Sequence, residues 1–86
     1  MGKVFMPKKV FKPAIFRARL NMLIEKRGMT QKELAKKVDV STSYISGLCT
    51  GSVEGPSVEV LCRLCMALDV TPTYLTGLLT EFDERS

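Results

Sequence analysis

Histidine is absent from this 86-residue chain, and only Cys49, Cys62 and Cys65 offer thiols. Without an imidazole the commonest general base is missing. No serine has a base at a workable spacing, and no glycine-rich phosphate loop occurs, so no constellation for catalysis is present. The Cys62-x-x-Cys65 spacing raises zinc or redox chemistry, with Cys49 as a third thiolate. A fourth ligand is lacking, however, and helical spacing sets Cys62 and Cys65 on one apolar stripe. They read as buried structural thiols, and neither metal nor cofactor is expected. The odd number of cysteines leaves no complete internal pairing, which suits a reducing cytoplasm. Apolar runs are short as well: none approaches the ~18 residues of a membrane span, and no apolar stretch follows the basic start to make a signal peptide. A chain of this length is expected to form one domain, without room for a separate ligand-sensing unit. It would bury only about 60–65% of its unfolded surface, so dimerisation is the expected support.

Acidic residues are scarce in one half only. Residues 1–37 hold eleven Lys/Arg against Glu25 and Glu33, a net of +9, whereas residues 38–86 hold Arg63 and Arg85 against seven acids, a net of −5. One end of the chain seeks an anion. Pro7 and Pro13 keep the basic start from forming an amphipathic membrane anchor, so a phosphate backbone is the better partner. In residues 1–12, Lys3, Lys8, Lys9 and Lys12 alternate with Val4, Phe5, Val10 and Phe11. This segment reads as a basic arm lying against DNA, with a solvated terminus or a strand paired across a dimer as the alternatives.

The remainder spells helices. Pro13 opens the first, which should run to Arg27 with Gly28 as a left-handed cap, and Phe16, Leu20, Leu23 and Ile24 form its core stripe. Thr30 and Glu33 make a capping box for the second. Leu34, Ala35 and Val38 face inward from it, Asp39 sits at a turn, and Ile45 and Leu48 face inward from a third helix of about Ser41–Cys49. The stretch Thr30–Gly51 is therefore a helix-turn-helix. Ser57 caps a fourth helix reaching Leu68, with Val58, Leu61, Cys62, Cys65 and Leu68 as its stripe. Thr71 and Pro72 open a fifth that carries Tyr74, Leu75, Leu78 and Leu79.

Several spacings agree with one known family. Thr30-Gln31, Leu34-Ala35, Ser41, Ile45-Ser46 and Gly51, followed by Pro56-Ser57, Leu61, Ala67-Leu68 and Tyr74-Leu75, resemble the DNA-binding domain of phage repressors and Xre-type regulators over roughly residues 14–79. The resemblance implies an all-α, five-helix domain spanning 13–79, after an arm at 1–12 and before a tail at 80–86. Its implied function is a cytoplasmic regulator, most simply a repressor, that binds an inverted-repeat operator as a homodimer with helix 3 in the major groove. Thr42 and Ser43, with Tyr44 and Ser46, are the expected base readers. Gln31, Lys32, Ser41, Thr50, Arg17 and Arg19 are expected at phosphates, and Lys8, Lys9 and Lys12 in the arm. For Tyr44 the alternative is packing, and for Arg17 and Arg19 it is a solvated face. Tyr74, Leu78, Leu79 and Phe82 supply more apolar surface than a monomer of short helices hides, and are the expected dimer interface.

The chain departs from the family pattern in four places. Asp39 stands where the family mostly has Gly. Residues 41–51 carry no charge, although Arg or Lys is frequent at the positions of Gly47 and Thr50, and Glu54 occupies a loop that is often basic. Ile24 and Cys49 replace an Arg–Glu pair, as expected if a buried ion pair was exchanged as a unit and the two now touch. The rival reading is a protein-interaction module on the same fold with little DNA affinity.

Overall fold

The computed structural model of the chain describes residues 11–78. Five helices follow in order, α1 (Pro13–Lys26), α2 (Gln31–Val38), α3 (Thr42–Thr50), α4 (Val58–Leu68) and α5 (Pro72–Thr76), with no strand among the described residues. Each start has a local cause. α1 begins on Pro13, whose missing N–H is one that a first turn leaves unbonded anyway. α2 carries the full capping box: Glu33 N–H donates to Thr30 Oγ1 at 3.0 Å, and Thr30 N–H donates to Glu33 Oε1 at 2.8 Å. Ser41, Ser57 and Thr71 cap α3, α4 and α5, each hydroxyl accepting the backbone N–H three residues on.

The stops are equally local. Gly51 (φ 97°) ends α3 and Gly77 (φ 82°) ends α5 in the left-handed region, where glycine has no steric penalty. α2 and α4 end instead on Asp39 (φ 61°) and Asp69 (φ 57°), so the turn of the helix-turn-helix is made on an aspartate, a residue that tolerates left-handed backbone better than most. α1 stops one residue earlier than expected, with Arg27 as its cap, and Gly28 then takes the left-handed turn.

A single core joins the helices. Phe16, Leu20, Leu34, Val38, Ile45, Leu48, Leu64, Leu68 and Leu75 are almost completely buried, and the core contains no buried polar or charged residue. Ile24 and Cys49 both lie in this cluster, at 8% and 6% exposure.

Two expectations about the later helices need correction. Val58 is 79% exposed and Cys62 is exposed too. The buried side of α4 consists of Leu64, Cys65 and Leu68, with Leu61 half-buried. Apolar residues occupy most positions of this helix, so periodicity alone did not single out the face. α5 is also shorter than expected: it ends at Thr76, and Leu78 lies beyond it, half-buried. Gly77 is itself buried, with Ile15 so near that a Cβ there would stand 3.0 Å from Ile15 Cγ2. Leu79 and Phe82, and the arm lysines Lys8 and Lys9, lie outside the described residues.

The fold also begins earlier than Pro13. Phe11 packs against the buried Phe16, its ring tilted with centroids 5.6 Å apart, and Lys12 N–H donates to Thr76 O at 3.3 Å. Both residues, assigned to the arm on sequence, are part of the packed domain.

Candidate nucleic-acid interface

The starts of α2 and α3 carry the expected reading and clamping residues. Thr42 and Ser43 are exposed in the first turn of α3, where the leading N–H groups have no intrahelical acceptor. Ser41 Oγ accepts from Tyr44 N–H at 3.1 Å, which leaves its hydroxyl proton for an outside acceptor. Ser46 is half-buried, one turn behind Thr42 and Ser43. Tyr44 is half-buried and packs against the core cluster, so packing claims most of this side chain. On α2, Gln31 is the first helical residue and is partly exposed, and Lys32, Lys36 and Lys37 are exposed. Small hydroxyls thus stand exposed at the start of α3, and lysines are exposed on α2.

Gly47 does not contribute to this surface. It is buried, and a Cβ on it would stand 2.6 Å from Val53 Cγ2. Its carbonyl accepts from Gly51 N–H at 2.9 Å and from Val53 N–H at 3.0 Å, so the segment after α3 folds back over it. The missing side chain makes room for the protein's own loop, and a basic residue at this position would have to displace Val53. Thr50 is exposed, but its hydroxyl approaches Gly47 O at 3.5 Å, which turns the donor inward.

The arginines are placed differently from the lysines. Arg19, expected at a phosphate, lies with its guanidinium 4.3 Å from the centre of the Tyr74 ring and donates through Nη1 to Tyr74 O. Its charge thus holds α1 to α5, and one face of Tyr74, an expected dimer contact, is already covered. Arg17 is half-buried, and its guanidinium lies against Gly51, where a Cβ would come within 2.9 Å of Nη1. It therefore stands at the carboxyl end of α3, where the helix dipole favours a cation. Arg27 donates to Leu68 O from Nε at 3.1 Å and from Nη2 at 2.5 Å. Arg63 donates to Val38 O at 3.3 Å and pairs with Glu59 at 3.1 Å.

One polar residue that mattered was missed on sequence. Asn21 Nδ2 lies 3.0 Å from both Arg17 O and Cys49 O, and so joins α1 to the end of α3. An asparagine in mid-helix carries no signal for a carbonyl 28 residues away.

Cys49 and Cys65 are buried, and desolvation pushes both thiols up, for Cys65 with a smaller contribution from Cys62. The described residues hold no group of three His, Cys, Asp or Glu side chains fit for a metal ion, and no helix long and apolar enough to cross a membrane.

Comparison with known proteins agrees with this geometry. A helix-turn-helix family model matches residues 20–75. No curated protein matches the chain. Among solved structures, the P22 c2 repressor, crystallised in complex with a synthetic operator, is similar with a TM-score of 0.69 and 31% identity over 74% of this chain and 96% of that one. The chain thus belongs to the phage-repressor-like helix-turn-helix family of DNA-binding regulators.

Proposed function

We propose that the protein is a cytoplasmic repressor that binds double-stranded DNA sequence-specifically. On this reading it sits as a homodimer on an inverted-repeat operator, with α3 in each major groove. The observation that carries the reading is the exposure of Thr42 and Ser43 at the uncovered start of α3, and the likeness to a repressor solved on its operator supports it. Thr42 can offer a methyl to thymine and a hydroxyl to a base edge, and Ser43 a hydroxyl. Gln31, Lys32 and Ser41 clamp phosphates beside them, where helix starts favour anions. A two-fold pair would hold its α3 helices about 34 Å apart, one turn of DNA.

Titration with salt of binding to a pool of duplexes tests this. A steep fall in affinity with one enriched palindrome is the expected result, and flat, feeble binding to every duplex overturns it. At residue level, Thr42→Ala relaxes the preference at one base position at a cost of about 1–3 kcal/mol, whereas Gln31→Ala weakens all sites alike.

The second reading, a protein-interaction module, is favoured by two specific observations. α3 carries no charge, and the nearby Arg17 is drawn against Gly51. The same titration separates the two readings.

A further inference from the structure

The reading helix is held at its far end by α1. Cys49 O is one of the last four carbonyls of α3, which have no donor within the helix. Asn21 Nδ2 carries two hydrogens; one is donated to Cys49 O and the other to Arg17 O, each at 3.0 Å. The bond to Arg17, one turn back on α1, fixes the amide so that its remaining hydrogen points at α3. The Arg17 guanidinium itself lies against Gly51, just past the same helix end. α1 thus meets the carboxyl end of α3 with two side chains one turn apart, while Thr42 and Ser43 stand exposed at the other end.

Resting on the DNA-binding role proposed above, we infer that Asn21 is a positioning residue that governs base discrimination from outside the reading surface: its tie to Cys49 O fixes the tilt and axial position of α3, and with them where Thr42 and Ser43 enter the groove. Ile45, Leu48 and Cys49 hold the inner side of α3 by apolar burial, and that force is non-directional. It keeps the helix against the core but resists sliding and tilting weakly. A hydrogen bond has a preferred length and angle, so it supplies the missing constraint. The lever is long enough to matter. Thr42 lies about 10 Å from Cys49 along the axis, so a pivot of about 10° at Cys49 carries it by about 2 Å. Hydrogen bonds to base edges do not survive such a displacement, because they form only within a few tenths of an ångström of ~2.9 Å. Attraction between a charge and a phosphate falls off far more slowly with distance. Loss of the tie therefore costs specificity and spares the electrostatic part of binding. Asn21 is exposed, so water takes its place at Cys49 O, and Ala or Leu, both better helix formers, offset the lost bond in stability.

The test compares the full chain with Asn21→Ala, Asn21→Leu and, as a control on the same helix, Met22→Ala, whose side chain is 44% exposed. Affinity is measured against salt for the palindrome enriched from the duplex pool and for an unrelated duplex of equal length, with urea midpoints alongside. The ratio of the two affinities should fall about five- to tenfold in both Asn21 variants, the lower range of what one mismatched base pair costs. Their salt slope and urea midpoint should stay close to the parental values, and Met22→Ala should keep the parental ratio. An unchanged ratio in the Asn21 variants overturns the inference. So does an equal fall for both duplexes, or a fall in the ratio that Met22→Ala shares. A parent chain that binds both duplexes alike removes the DNA-binding role itself, and this inference with it, a result seen before any variant is compared.

Discussion

The two ends of the helices are finished with different chemistry. At the starts, short hydroxyls do the work: Thr30, Ser41, Ser57 and Thr71 each accept a first-turn N–H. At the finishing ends the described arginines converge from elsewhere in the chain, Arg63 on α2, Arg17 on α3, Arg27 on α4 and Arg19 on α5. The difference teaches how to read the charge of this chain. A count of Lys and Arg in residues 1–37 suggests a broad anion-seeking half, yet the guanidiniums of Arg17, Arg19 and Arg27 lie at the carboxyl ends of helices, where the dipole favours a cation. The lysines of α2, Lys32, Lys36 and Lys37, remain exposed instead.

The largest expected effect tests how tightly one finishing end is closed. In Gly47→Val the new side chain meets Val53, already 2.6 Å from where a Cβ would stand. Overpacking should cost about 2–3 kcal/mol, read as a fall in the urea midpoint at constant slope. A neutral result would mean that the loop after α3 yields easily, and that Gly47 is not there to make room for it.

Arginine and lysine should respond differently to removal. Arg27→Ala removes both donors from Leu68 O, and should lower stability by about 1–2 kcal/mol. Its operator binding should keep the parental salt slope. Lys32→Ala, an exposed position on α2, should leave stability within about 0.5 kcal/mol and lower the salt slope by about one. If Arg27→Ala moves the slope, or Lys32→Ala does not, the division of labour between the two cations is wrong.

These cases also show why some features could be read from sequence and others could not. The capping box at Thr30 and Glu33, the turn at Asp39 and the exposed start of α3 are set within a few residues, so local pattern found them. The destinations of Arg19, Arg27 and Arg63 lie 55, 41 and 25 residues away, and no local pattern encodes them. α4 failed for a different reason. With apolar residues on nearly every side, its inward face was chosen by α2 and α5, which left Val58, Cys62 and Met66 outside.

The three thiols differ in access to solvent. Cys62 should react with a soluble disulfide reagent at the rate of an open thiol, while Cys49 and Cys65 react only on unfolding. Burial raises the pKa of those two, so the folded state holds their protons more tightly than the unfolded chain does. Their contribution to stability is therefore complete below the ordinary thiol range and is lost as pH rises through the raised values. Fast labelling of all three thiols in the native protein would restore the stripe inferred from sequence and undo the assigned face.

The smallest effect concerns the two finishing ends that lack a glycine. Asp39 and Asp69 hold left-handed backbone at φ 61° and 57°, a region that costs an ordinary residue about 1–2 kcal/mol and aspartate less. Glycine removes that penalty but adds entropy to the unfolded chain, about 0.5–1 kcal/mol in the opposite direction. Asp39→Gly and Asp69→Gly should each raise stability by no more than about 0.5 kcal/mol, seen as a small shift of the thermal midpoint. A clear loss at Asp39 but not at Asp69 would mean that the carboxylate in the helix-turn-helix stabilises its turn by more than backbone tolerance. The departure from the family's glycine would then be a substitution that strengthens the fold rather than one it merely accommodates.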